Sequence, residues 1–290
     1  MKIKRSLGER IFDAANCLFL TTILFCTLYP CWYVLMASMS DPNLVQDAKG
    51  IVFYPLKFGL YSYIDVLKYS QLWISYRNTV FYVIFGGIWS VSLTMFAAFA
   101  LSRRNLPGKN GILMFIMITM YFSGGLIPTY LVIKGIGLLD NPLVMMLPGV
   151  AAANLIITLS YFRSMPYELE ESAKIDGAND YTVLFRIMIP LAKPIIAVIS
   201  LYYMVAIWNN YFTGLIYLKT RSLFPLQMIL REILIQNSTA EISMQTDSAQ
   251  AYAENVKYAV IVVSTVPILC VYPFLQRFFI KGVMIGAIKG

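Results

Sequence analysis

From Thr79 to Leu101 the chain runs without a single Asp, Glu, Lys or Arg. At about 1.5 Å per residue, a helix over this stretch crosses the roughly 30 Å hydrocarbon core of a bilayer. Five further apolar runs, near 14–37, 111–133, 142–162, 191–216 and 257–280, are each bounded by charge or by Gly, Pro or Asn. A water-soluble fold could not hide them all. Of the residues 59% are hydrophobic and 13% charged, against roughly 45–50% and 25% in soluble domains. The sequence therefore predicts an all-α, integral-membrane six-helix bundle, a single domain over 1–290 without room for an additional catalytic domain.

Lys2, Lys4, Arg5 and Arg10 precede the first run. That run is too long for the apolar region of a signal peptide, so it reads as an uncleaved span. Positive charge then sets the orientation. With the N-terminus inside, 14 Lys and Arg fall in short internal segments, including Arg103, Arg104 and Lys109 in one turn, against 9 in longer external ones. Both termini are expected on the cytoplasmic side. The external segments are 38–78 and 217–256. In the first, Tyr61 to Tyr69 followed by Leu72-Trp-Ile fits either a helix lying in the membrane interface or a packed external cap.

Several function classes fall away. There is no histidine, and Cys17, Cys26, Cys31 and Cys270 lie in apolar stretches without metal-ligand spacing, so no metal site is expected. The centres of the apolar runs hold almost no ionisable group, which disfavours an ion-coupled carrier. No selectivity filter or charged ring of a channel is legible. The net charge of +8 sits at the flanks of the spans, so nucleic acid is not an expected partner. No polar catalytic cluster is present, and the chain is not expected to be an enzyme.

One polar stretch is more than a turn. Across 165–190, Pro166 can open a helix whose first turn carries Glu168, Glu170 and Glu171, where the helix dipole favours anions. Gly177 breaks it, for a positive φ or a close backbone contact. Ala178-Asn179-Asp180 can cap a second helix from Tyr181 to Ile189, which Pro190 would end. The order Glu171-Ser172-Ala173, three residues, Gly177, nine residues, Ile187-x-Ile189-Pro190 closely resembles the "EAA" motif of ABC importer permeases, with Ser172 for the second Ala and Ile189 for Leu. Asn78-Thr-Val, Ala97 to Ser102 followed by Arg103, and Trp208-Asn-Asn-Tyr-Phe are similar to the MalG-like half of carbohydrate-uptake permeases. Ser123 to Ile133 with Gly137 to Pro142 resembles the branch importing oligosaccharides, including acidic ones of the aldouronate and alginate type. One departure is Thr213-Gly214, where many relatives carry a proline.

That resemblance implies a MetI-like permease fold in a bacterial cytoplasmic membrane. It implies as partners a second homologous permease subunit, two ABC ATPase subunits and an extracytoplasmic solute-binding protein, besides the oligosaccharide and the membrane lipid. No cofactor is expected in this chain. It has no G-x-x-x-x-G-K-[ST] sequence, so ATP and Mg would belong to the partner subunits. The loop would act as a coupling helix, with Glu171, Ser172, Ala173, Asp176, Gly177 and Ala178 in the ATPase contact and Ile187 and Pro190 anchoring it to the bundle. Segment 217–256 resembles the loop that touches the binding protein. For a sugar pathway, aromatic faces and amides nominate Tyr121, Asn154, Tyr203, Trp208, Asn209 and Tyr211; interface anchoring and helix packing are competing roles for these types. The loop motif alone is shared with importers of amino acids, polyamines and phosphate. The carbohydrate indication comes from the second, third and fifth spans.

Overall fold

The computed structural model describes residues 7–48, 50–147, 149–243 and 247–287. Its elements are helical, with no strand among the described residues. They form two compact units, one of 1–70 with 230–265, the other of 71–229 with 266–290.

In the first unit, α1 (Leu7–Ser38) is long and apolar enough to span a membrane. Leu18, Phe19, Leu24, Phe25 and Leu28 stand exposed along it, surface that lipid can cover at no hydrophobic cost. Where α1 ends, its backbone is finished by polar side chains. Ser40 Oγ donates to the Met36 carbonyl at 2.6 Å and accepts from Leu56 N at 2.9 Å. Ser38 Oγ lies 2.7 Å from the Tyr63 hydroxyl on α3 (Tyr61–Lys68). Asp41 caps α2 (Pro42–Asp47) by accepting from Asn43 N at 3.2 Å. From α15 (Asp247–Ala287), the buried Asn255 amide donates to the Ala37 and Ser40 carbonyls at 3.2 and 2.9 Å. The 38–68 segment is thus tied by hydrogen bonds to the end of α1, while Tyr61, Ile64 and Leu67 of α3 stand exposed. Its second half differs from expectation: α3 stops at Lys68, and the fully buried Leu72 belongs to α4.

The second unit is organised on α4 (Ser70–Ser102). This helix buries Ser75, Asn78, Thr79, Tyr82, Gly86, Ser90, Thr94 and Ala98, one stripe at three- and four-residue spacing. Small and hydroxyl side chains let neighbouring backbones approach, which is how helices associate when lipid removes the hydrophobic drive. Gly86 is the closest point: a Cβ there would lie 3.0 Å from Ile207 Cδ1 and 3.2 Å from the Met146 backbone. Asn78, at the start of the stripe, donates to the Ser222 and Phe224 carbonyls at 2.6 and 3.2 Å. Thr79 Oγ1 accepts from Leu226 N at 2.7 Å, and the Tyr82 hydroxyl donates to Leu223 O at 2.8 Å. Asn78-Thr-Val is therefore a backbone clamp on residues 222–226.

Among the described residues three helices are long and apolar enough to cross a membrane, and two bent pairs also qualify if each is one span. The 111–133 run is not a straight crossing. It divides into α5 (Lys109–Tyr121) and α6 (Leu126–Gly135), bent by 117° at Phe122–Gly125, where Gly125 has φ +84°. The 142–162 run divides into α7 (Leu143–Met146) and α8 (Ala152–Arg163). In the fifth run, α12 (Lys193–Trp208) gives way at Asn209 to α13 (Phe212–Tyr217), and Asn210 Oδ1 accepts from Thr213 N at 3.1 Å. Apolar composition measures which residues avoid water. It does not register the Gly and Asn positions that turn the backbone within the run.

Asp140, at φ +55°, ties two loops together. Its carboxylate accepts from Lys219 N and Thr220 N, both at 2.8 Å, and from Thr220 Oγ1 at 2.5 Å. The Thr220 hydroxyl, then the Thr220 and Lys219 amides, hold its pKa below the ordinary aspartate value. A lowered acid pKa makes the clasp's contribution complete above the unfolded value and lost as pH falls through the folded one.

Two glycines make a paired test. Gly86→Val should destabilise the protein by about 1–3 kcal/mol, the usual cost of overpacking. Gly87→Ala, whose Cβ would sit at an ordinary 3.5 Å from Met204, should leave the thermal unfolding midpoint in detergent nearly unchanged.

Candidate functional site

The 163–192 segment is built as an elbow on the second unit. Tyr167 precedes α9 (Glu168–Ile175), whose first turn holds Glu168, Glu170 and Glu171. The helix closes in a Schellman turn: Gly177 N donates to Lys174 O at 3.0 Å and Ala178 N to Ala173 O at 2.9 Å. Gly177 has φ +82°, and a Cβ there would meet nothing within 4 Å. Of the two reasons for glycine at this place, backbone conformation is the one that holds within the chain. Ala173 and Ala178, the two ends of the turn, pack against the buried cluster of the unit. Only small side chains allow a helix end to lie that close.

Asn179 then caps the next helical stretch. Its Oδ1 accepts from Thr182 N at 2.8 Å and from Thr182 Oγ1 at 2.9 Å. From α10 (Asp180–Thr182) the chain passes through a π-helical turn, Val183–Met188, into α11 (Ile189–Leu191). Pro190 was expected to end this helix, yet it stands inside the helical path. The wider π turn just before it accommodates a residue that has no N–H and crowds the preceding turn. The path bends by 81° only between Leu191 and Lys193, where the Tyr161 hydroxyl donates to Leu191 O at 3.1 Å.

A charged latch holds α9 to the end of α4. Arg103 pairs with Glu170, their side chains only 18% and 11% exposed. The Arg103 guanidinium also covers the Phe99 ring at 4.2 Å and donates to Ser102 Oγ at 3.0 Å. Glu170 accepts a second ion pair from Lys174 at 2.8 Å, and Lys174 reaches Asp180 at 3.5 Å across the turn. The Glu170 carboxylate raises the Lys174 pKa, so that contribution is complete below the ordinary lysine value and fades only as pH rises through the raised one. Arg104 lies over the Tyr167 ring at 4.1 Å. Removing one partner of a little-exposed pair leaves the other charge uncompensated and costs more than losing a surface pair.

The positions of the expected coupling residues divide. Glu171, Ser172, Asp176 and Gly177 are exposed at the tip. Ala173 and Ala178 are half-buried and pack against the core cluster. Ile187 is half-buried and Pro190 exposed; the anchoring is done by Val183, Leu184 and Met188, buried against Phe99, Leu159 and Phe162. Ile187 and Pro190 come from the motif; within this chain the side chains buried on the π turn are these three. Ile175, 82% exposed, and Tyr181, 74% exposed, stand apolar at the tip. Sequence reading passed over both, although an Ile beside Asp-Gly in a polar loop is itself a signal.

The pathway candidates do not form one cluster. Tyr203 is buried, and its hydroxyl meets Thr94 Oγ1 at 2.7 Å and accepts from Ala151 N at 3.0 Å. It is a helix-joining pin. Asn154 is buried in α8. Trp208, buried, meets Tyr76 edge-on at 6.2 Å and lines with it an apolar cavity of about 360 Å³. Asn209 caps α12 and is exposed, Tyr211 packs on Phe212 at 6.3 Å, and Tyr121 stands exposed at the α5–α6 bend.

Interrupted apolar helices carrying a polar elbow are the architecture of a transport permease. Residues 72–285 match the family described as binding-protein-dependent transport system inner membrane component, and the chain belongs to that family. It is therefore a multi-pass inner-membrane subunit that works with a binding protein and with separate ATP-hydrolysing subunits. Among its relatives is Protein LplC of Bacillus subtilis (strain 168), 39% identical, with 97% of this chain and 96% of the relative covered. The polygalacturonan/rhamnogalacturonan transport system permease protein YtcP of the same organism is also 39% identical, with 97% and 99% covered. A solved bacterial ABC transporter involved in the import of the acidic polysaccharide alginate contains a chain 33% identical to this one. Its TM-score is 0.84, with 96% of this chain and 100% of that one covered.

Glu170→Gln keeps an acceptor but removes the charge shared by Arg103 and Lys174. It should cost about 1.5–3 kcal/mol, the range for hydrogen bonds to charged groups. Limited proteolysis should then cut the elbow faster at 163–180 than in the unaltered protein.

Proposed function

We propose that this chain is the transmembrane permease subunit of an ATP-driven importer of oligosaccharides, with acidic ones as the favoured class. The relatives' polygalacturonan/rhamnogalacturonan and alginate substrates support that class. The elbow faces the cytoplasm, as both termini do. It docks in an ATPase subunit, while a second, homologous permease and a second ATPase complete the assembly. The external 217–256 segment meets the solute-binding protein; within it, 244–246 lie outside the described residues.

The observation that carries the coupling role is the contrast between the two sides of α9. Ala173 and Ala178 are fixed to the core and Glu170 is latched to Arg103. Ile175, Glu171 and Asp176 are left outward with nothing of this unit covering them. An apolar Ile ringed by carboxylates suits a groove with an apolar floor and a basic rim. Because the Schellman turn and the latch make the elbow stiff, displacement at its tip moves α4, α8 and α12 as one body.

Replacing Ile175 with Asp removes the tip anchor without touching the core. We expect normal membrane insertion and a loss of substrate-stimulated ATP hydrolysis of at least about tenfold, the equivalent of roughly 1.4 kcal/mol at the interface. Gly177→Asp, at a left-handed position that Asp tolerates better than most residues, should insert normally and uncouple as well. Normal stimulated hydrolysis in both variants would refute the docking role.

A further inference from the structure

Behind the elbow lies a basic cavity of about 190 Å³, walled by Arg103, Arg104, Lys109 and Arg163 with Glu170 and Phe162. Glu170 neutralises Arg103, which leaves three cations around the hollow. Lys109 Nζ spends one donor on Arg103 O at 3.0 Å, and Arg104 rests on the Tyr167 ring. The Arg163 guanidinium has no ion pair among the described residues. The cavity is smaller than the roughly 300–1,000 Å³ of drug-sized ligand pockets, so it suits a compact anion. Of the four, the coupling role of the elbow uses Arg103 through its pair with Glu170.

We infer that this cavity holds the phosphodiester of an anionic membrane lipid. The inference rests on the cytoplasmic placement of the elbow proposed above. Arg103 and Arg104 follow the end of α4, Arg163 ends α8, and Lys109 opens α5. All four therefore sit at helix ends, at the depth where inner-leaflet headgroups lie. Immediately after Lys109, α5 exposes Ile112, Met114 and Phe115. A lipid bound by its phosphate lays its acyl chains along that surface, whereas free phosphate would leave it bare. The guanidinium groups supply the paired N–H donors that phosphate oxygens accept. The bound lipid then braces Tyr167 and the root of α9 from the side opposite the ATPase contact.

The test uses the complete importer with its partner subunits. Phosphatidylglycerol and phosphatidylcholine are titrated separately and binding is read by native mass spectrometry. Phosphatidylglycerol should bind and phosphatidylcholine should not. The Arg104→Gln/Arg163→Gln double variant should weaken phosphatidylglycerol roughly thirtyfold, from about 1 kcal/mol per basic residue. Arg163→Gln alone breaks no ion pair among the described residues, and should weaken it severalfold with little change in thermal stability. Equal binding of both lipids, or unchanged binding in the two variants, would overturn the inference. Displacement of phosphatidylglycerol by inorganic phosphate would overturn it in favour of a free-anion site. Labelling of a Ser172→Cys variant from each side of sealed vesicles, run in parallel, separates the two claims. Outer-face labelling would remove the coupling reading itself, and lipid-indifferent binding removes only the lipid.

Discussion

The ion pair between Arg103 and Glu170 is the point on which the functional part of the structure turns. Arg103 follows the last residue of a 33-residue helix, and Glu170 lies in the first turn of an eight-residue one. A helix of eight residues is too short to persist by itself in water. It persists here because three constraints meet: the latch to Arg103, the Schellman turn at Gly177, and the two alanines on the core. Remove the charge pair and the N-terminal end of the helix keeps only the Met165 packing and the Arg104–Tyr167 contact. A segment held at both ends passes on a push, and one held at a single end absorbs it.

The same economy of contacts recurs at the other end of α4. Asn78, Thr79 and Tyr82 satisfy the backbone of 222–226, while Asp140 closes 217–220. Asn78, Thr79 and Tyr82 open the charge-free stretch of α4, and there they fix a loop. In hydrocarbon an unpaired backbone group costs several kcal/mol. Side chains that satisfy loop backbone at the ends of a span are therefore as structural as its apolar face. Gly86 and Ser90 in its middle serve the other need, close approach between helices.

Much of this was legible in the sequence. The length and charge-free interior of 79–101 specify a spanning helix. The run of three glutamates, Gly177 and Asn179 specify a helix, a left-handed stop and a cap, and the structure places all three as read. Three things were hidden. The bends at 122–125 and 209–211 leave composition unchanged, so apolar windows pass over them. The π turn at 183–188, which buries Val183, Leu184 and Met188, has no composition signature, and its five-residue hydrogen-bond step departs from the spacing of an α-helix face. The partner of Glu170 lies 67 residues back in the chain, and a pair of that separation has no local signature. The nominated pathway residues were chosen by type. Tyr203 shows the weakness of that choice, since its hydroxyl is committed to Thr94 and to the backbone at Ala151.

The central claim is that the elbow moves with the bundle as one rigid piece, and a distance measurement tests it most directly. With Cys17, Cys26, Cys31 and Cys270 replaced, spin labels are placed at Ser172 on α9 and Ser160 on α8 in the assembled transporter. Their separation is then read by pulsed electron resonance at rest and with ATP trapped. A single narrow distribution, unchanged between the two states, is the expected result. A broad distribution at rest, or a shift when ATP is trapped, would mean that the elbow flexes on its root and cannot carry the stroke.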